Sequence, residues 1–234
     1  MDFDRLVHEA WPAYEQHAHD GWVLRHAGGV TKRANSVLAT SLPADLDGAI
    51  RAAEAFYAAR GQRCVFSIGP GTPPALDEEL ERRGYALADP TLLMTGEPVG
   101  EAGRPGVRVD DRPWPGWLAA WWAVDGRYGS GLEEAERICA GVPAWYAAYE
   151  EDGVVLAVGR GVPQGDTLGI YCMATLPGAR RRGLARVVLR ALVARAGDGA
   201  GSAYLVVTAA NAGAQALYRG EGFEVAGRYH YRVR

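Results

Sequence analysis

The stretch Thr175-Leu176-Pro177-Gly178-Ala179-Arg180-Arg181-Arg182-Gly183-Leu184-Ala185-Arg186 decides how this chain is read. An apolar run, Ile170-Tyr171-Cys172-Met173-Ala174, precedes it and reads as a strand. Leu184, Val187, Val188, Ala191 and Leu192 follow at the spacing of one helix face. A glycine-bearing basic loop from strand end to helix start directs free backbone N–H groups and the positive helix terminus outward together. That combination suits a phosphate or diphosphate. Taken alone, Arg-Arg-Arg-Gly reads equally well as a solvated surface loop; its placement and the residues downstream favour the anion site. Neither Gly-x-x-x-x-Gly-Lys-Ser/Thr nor Gly-x-Gly-x-x-Gly occurs, which argues against ATP or NAD.

About twenty residues on, Ala203–Thr208 reads as a second buried strand. Asn211-Ala212-Gly213-Ala214-Gln215-Ala216-Leu217-Tyr218-Arg219-Gly220-Glu221-Gly222-Phe223 then predicts a helix with Asn211 as N-cap and Gly222 in a left-handed terminal turn. In the last segment Phe223, Val225, Tyr229, Tyr231 and Val233 alternate with Glu224, Arg228, His230, Arg232 and Arg234. The pattern predicts a strand with one apolar and one polar face.

These two blocks resemble the GNAT superfamily of N-acetyltransferases. Arg180-x-x-Gly183-x-Ala185 matches its acetyl-CoA loop, Gln/Arg-x-x-Gly-x-Gly/Ala. Asn211, Ala214, Leu217-Tyr218 and Gly222-Phe223 match its second block. The likeness covers roughly residues 106–234, and the pairing of both blocks in order is what makes it specific. It implies an α/β fold with a splayed mixed sheet flanked by helices, and acetyl-CoA as cosubstrate. It further implies that the backbone of Met173, Ala174 and Thr175 pairs with the pantetheine arm. Arg180, Arg181, Arg182, Gly183, Leu184, Ala185 and Arg186 would surround the diphosphate, Asn211 would touch the cofactor, and Tyr218 would act as the acid beside the thioester sulfur.

The first hundred residues read as a worn copy of the second half. Trp22–Arg25 and Ala34–Thr40 form a predicted hairpin ending in Ala39-Thr40-Ser41-Leu42-Pro43, close to Ala174-Thr175-Leu176-Pro177. A helix over 45–60, a strand over 64–68, a helix over 74–83 and a strand over 91–94 follow, with Gly84-Tyr85 parallel to Gly222-Phe223. Asp45-Leu46-Asp47-Gly48 stands where the second half has Arg180-Arg181-Arg182-Gly183, and its carboxylates would repel a diphosphate. Leu80 takes the place of Tyr218. The expected organisation is a tandem: a degenerate GNAT-like domain at 1–96, a Gly/Pro-rich linker at 97–105, and the acetyl-CoA-binding domain at 106–234.

At 234 residues the chain is long enough for two small cores, and 48% hydrophobic with 23% charged residues is ordinary for a globular protein. A net charge of −3 argues against a nucleic-acid partner. No apolar run approaches the ~18 residues of a membrane span. Cys64, Cys139 and Cys172 lack ligand spacing and read as free thiols, Cys64 and Cys172 within apolar runs; the five histidines lack metal spacing too, so no metal is expected. A reducing cytoplasmic location, as monomer or homodimer, is the expectation.

For the acceptor, Trp114, Trp117 and Trp121 fall at i, i+3 and i+7, as core or as the wall of an acceptor pocket, with Tyr128 and Trp145 beyond. Glu133, Glu134 and Glu136 read as a solvated face or as an attraction for an amine. Lys32 and Arg33, in a polar hairpin loop, are candidates for an anionic group of the acceptor, and Tyr171 and Trp121 for contacts with it. Val206 and Gly169 occupy positions where some members of the superfamily carry a glutamate base; Tyr171, Glu150 and Asp166 are the substitutes within the sequence. A small-molecule primary amine attacking the thioester directly in a ternary complex is the leading expectation. Acetylation of protein N-termini or lysines, and a non-catalytic CoA-binding module, are the alternatives.

Overall fold

The computed structural model describes residues 1–102, 104–126 and 131–234 of the chain. Its elements begin with α1 (Phe3–Ala10), β1 (Glu15–His19), β2 (Trp22–His26), β3 (Val37–Ala39), α2 (Leu46–Ala58), β4 (Val65–Ile68), α3 (Pro74–Arg82) and β5 (Ala86–Gly96). They continue with β6 (Val107–Asp110), α4 (Pro115–Asp125), α5 (Leu132–Cys139), β7 (Trp145–Glu151), β8 (Val154–Gln164) and β9 (Thr167–Thr175). Last come α6 (Leu184–Ala196), β10 (Ser202–Thr208), α7 (Ala212–Arg219) and β11 (Glu224–Val233). Among the described residues no helix is long and apolar enough to cross a membrane.

Two compact units emerge. One holds residues 1–92, 208–210 and 227–234; the other holds 93–207 and 211–226. In the first, strands run β1-β2-β3-β4-β11, antiparallel except for the parallel pair β3/β4. In the second, β7-β8-β9-β10 repeats that pattern, with β9/β10 the parallel pair, β6 added outside β7 and the end of β5 beyond β10. Helices α2 and α6 make the corresponding crossovers, and α3 and α7 the corresponding returns. The repetition is the expected tandem architecture. Each half sends its closing strand into the other's sheet: His230–Val233 of β11 register with Val65–Ile68 of β4, and Thr95 of β5 hydrogen-bonds the Ala203 carbonyl of β10.

The cores follow from period-3.6 and period-2 patterning. In the first unit Ala49, Ile50, Ala53 and Tyr57 of α2 pack on Trp22, Leu24, Val37 and Phe66. Phe66 makes edge contacts with Trp22 and Tyr85 at 5.5 and 5.7 Å. In the second unit Val187, Val188, Ala191 and Leu192 of α6 are buried as their spacing predicts, and Leu189 joins them. Fully burying a side chain of this size contributes about 1.5–3 kcal/mol.

Three expectations need correcting. Trp114 does not share the helix face of Trp117 and Trp121: Pro115 starts α4, leaving Trp114 as its extended N-cap residue with Arg108 over its ring at 4.0 Å. The last strand lacks the expected clean two-faced pattern, since Val225 is exposed and Arg232 is only 5% exposed. Arg232 lies inside because Asp77 of α3 accepts from its Nε at 2.6 Å and Glu81 and the Tyr85 carbonyl take its Nη1. Finally, Cys172 is only partly buried, whereas Cys64 and Cys139 are buried; all three are free thiols.

Candidate active site

The site begins with an irregularity in β9. Between the pairs Arg160↔Tyr171 and Val158↔Ala174, β8 has one residue, Gly159, and β9 has two, Cys172 and Met173. Cys172 adopts φ 52°, so the extra residue is accommodated as a β-bulge. On the other edge of β9, the parallel ladder registers Ser202 with Thr167 through Leu205 with Ile170. Beyond that register Tyr171–Thr175 and Val206–Thr208 extend as strand termini. The bulge takes Met173 out of the ladder at the point where the two strands part. A side chain at position 159 would collide with Met173 Sδ and Val188, which is why the facing residue is glycine.

Past Thr175 the chain makes a short helical turn at Pro177–Ala179 and then the basic loop. Arg181 and Gly183 both adopt left-handed backbone, φ 65° and 77°. Such turns aim successive N–H groups into one concavity. Helix α6 has no side-chain cap and no acidic residue in its first turn. Its first ladder bond, Val187 N–H to the Gly183 carbonyl at 3.2 Å, leaves the N–H groups of Leu184, Ala185 and Arg186 outside the ladder. Nothing lies within 4 Å of where a Cβ on Gly183 would stand. An open, uncapped, cationic helix terminus fits a diphosphate.

The side chains of the basic loop divide their tasks. Arg180 Nε donates to the Thr175 carbonyl at 3.3 Å, bracing the turn. Arg182 pairs with Glu151 at 2.8 Å, both side chains well exposed. Arg186 is engaged by Glu221 at 2.6 Å. Three of the loop's guanidinium groups thus have protein partners, while the N–H groups at the start of α6 stay outside its ladder.

Helix α7 is capped as predicted: Asn211 Oδ1 accepts the Ala214 N–H at 3.1 Å. Tyr218 near its end is 6% exposed and makes an edge contact with Phe223 at 6.0 Å. Burial pushes its phenol up to about 12, so it is protonated throughout the physiological range. Gly222, at φ 86°, turns the chain so that the Phe223 N–H donates back to the Tyr218 carbonyl at 3.0 Å. In the first unit Gly84, at φ 82°, does the same for Tyr85 and Leu80.

The other candidates lie as follows. Tyr171 is buried, its hydroxyl 2.7 Å from that of Tyr204, which donates to Gln164 at 2.7 Å. Trp121 is 1% exposed, its ring tilted against that of Trp117 and edge-on to that of Trp122, each at 5.6 Å. Lys32 pairs with Asp89 at 2.9 Å, and Arg33 lies over the Trp11 ring at 5.2 Å. Glu133 and Glu136 are exposed on α5 and Glu134 is half-buried there. Asp166 accepts from the Thr167 hydroxyl at 3.3 Å, while Glu150 is half-buried on β7. Tyr128 falls outside the described residues. Sequence reasoning missed the bulge, because an unpaired residue leaves no mark on composition. It also missed Glu221, whose only signal was a carboxylate between two glycines.

Comparison with known proteins agrees with this geometry. The profile of a family described as "Probable histone acetyltransferase Rv0428c C-terminal" matches residues 4–232. The chain is 27% identical over 241 residues to the "Uncharacterized N-acetyltransferase YobR" of Bacillus subtilis (strain 168), covering 99% of this chain and 97% of that one. It is 31% identical over 189 residues to the mycothiol acetyltransferase of Beutenbergia cavernae, covering 76% of this chain and 61% of that relative. A tandem GNAT protein from the clavulanic acid biosynthesis pathway, solved without acetyl-CoA, shares the fold at TM-score 0.66 and 9% identity, over 100% of this chain and 87% of that one.

Proposed function

We propose that this chain, which belongs to the acetyltransferase family matched over residues 4–232 and is an N-acetyltransferase of the GNAT superfamily, acetylates the primary amine of a small molecule in a ternary complex. The bulge at Cys172–Met173 beside the uncapped terminus of α6 carries this reading. GNAT enzymes use acetyl-CoA as cosubstrate, and bound here it would supply an activated acetyl thioester. The parted β9 backbone at Met173, Ala174 and Thr175 would hold its extended arm. The N–H groups from Arg181 to Arg186 would hold its diphosphate, and Asn211 would offer its free amide N–H₂.

Two tasks fall to named groups. The Met173 N–H is the donor for negative charge developing on the carbonyl oxygen. Tyr218 is the donor to the departing sulfur. A phenol held at about 12 is a weaker acid than a thiol of pKa ~8.5, so Tyr218 acts as a hydrogen-bond donor that keeps its own proton. The amine needs deprotonation: with pKa ~10.4, roughly one molecule in 2,500 is neutral at pH 7. The neutral fraction comes from the amine's own equilibrium with water, which takes the proton before the attack.

The N-terminal copy, residues 1–96, is read as lacking a cofactor site. Asp45 Oδ1 takes the Gly48 N–H at 2.8 Å, closing the α2 terminus with the protein's own carboxylate. Lys32 and Arg33, with Asp89 and Trp11 as neighbours, remain candidates for an acceptor carboxylate.

The small acceptor is favoured by the likeness to an enzyme named for mycothiol. A protein acceptor is the second reading, favoured by the family's description as a probable histone acetyltransferase. Thiol release from acetyl-CoA, measured against panels of small amines and of lysine peptides, separates them. Higher kcat/KM on the peptides would overturn the small-amine reading, and no release on either panel would overturn the enzyme.

A further inference from the structure

Glu221 is buried, with 3% of its side chain exposed, and two arginines of α6 converge on it. Arg186 Nε lies 2.6 Å from one carboxylate oxygen and Arg190 Nε 2.7 Å from the other, while Arg190 Nη2 donates to the first at 3.3 Å. The Glu221 main-chain N–H donates to the carbonyl of Tyr218 at 3.0 Å. One residue thus grips α6 through its side chain and the end of α7 through its backbone. A carboxylate withdrawn from water is costly unless its partners are well placed, so this is a built feature.

The first unit carries the same brace with its charges exchanged. Arg83 precedes the left-handed Gly84 as Glu221 precedes Gly222, and its Nη2 lies 2.5 Å from Asp47 in the first turn of α2. There the carboxylate is on the crossover helix. In the second unit the carboxylate is on the return, and its two partners are arginines of α6.

We infer that Glu221 is a positioning residue that sets α6 against the last turn of α7, and so fixes the spacing between the diphosphate cradle and the Tyr218 phenol; this rests on the function proposed above. The cradle's N–H groups belong to α6 itself, so loss of the brace leaves CoA binding nearly intact but misplaces the phenol. Glu221→Gln is expected to lower kcat at saturating acetyl-CoA at least tenfold, with the CoA Kd by calorimetry within threefold. Glu221→Asp should recover part of that loss. Arg190→Gln should also lower kcat, and the double variant should be no worse than Glu221→Gln alone. A kcat for Glu221→Gln within twofold of the parent, or additive losses in the double variant, would overturn the inference. If Glu221→Gln does not fold, the cycle of Glu221→Asp with Arg190→Gln decides by the same criterion. Tyr218→Phe tells the two ideas apart: if it turns over normally the phenol's role fails, while the Glu221–Arg190 cycle still reports on the brace.

Discussion

In Tyr218 burial alone sets the protonation state. Desolvation alone raises its phenol to about 12, so ionisation of this group lies far above neutrality. The pH–kcat/KM profile is therefore expected to rise with slope near one as the amine deprotonates, with no falling limb from Tyr218 below about pH 10. Tyr218→Phe should lower kcat about 10–100-fold and move the acetyl-CoA KM less than threefold; steady-state kinetics with one saturating amine checks both. Asp77 shows the opposite sign. Burial opposes its charge, but hydrogen bonds from Arg232 and His230 outweigh that and hold its carboxyl below the usual range. The stability it contributes is present above the ordinary aspartate pKa of ~3.9 and is lost as pH falls through its own lower value. Urea midpoints followed from pH 6 to pH 3 should converge between the parent and Asp77→Asn at the acid end.

At the scale of elements, the two crossover helices make a controlled comparison. Both follow a strand and open with a leucine, but α2 is capped by Asp45 whereas α6 starts at a left-handed glycine with no cap. Asp45→Ala should cost about 1 kcal/mol of stability and leave CoA affinity unchanged. Ala185→Glu should stabilise α6 by up to ~1 kcal/mol through its dipole. The same carboxylate should weaken CoA binding tenfold or more, because it competes for the N–H groups. Opposite movements of Tm and CoA affinity would be the signature, and a variant that gains stability without losing affinity would refute the cradle. The position of this loop was legible beforehand because helix periodicity and glycine placement are local properties. The bulge was not, because it exists only in the register of β9 against β8.

For the whole molecule, the exchange of closing strands explains why the last segment misled. A strand that was expected to finish the second domain runs into the first unit, where Arg232 is surrounded by Asp77, Glu81 and the Tyr85 carbonyl. Arg232→Ala, which would strand those partners, should cost about 2 kcal/mol or more in urea unfolding, beyond the ±0.5 kcal/mol of an ordinary surface change. The tandem order of elements, the basic loop, the N-cap at Asn211 and the left-handed Gly222 were all determined by the sequence itself, since each depends on residues within a few positions of one another. The bulge in β9, the pairing of β11 with β4 and the grip of Glu221 on α6 were decided only in three dimensions. Each of those depends on which distant segment lies opposite, and chain order carries no local trace of that.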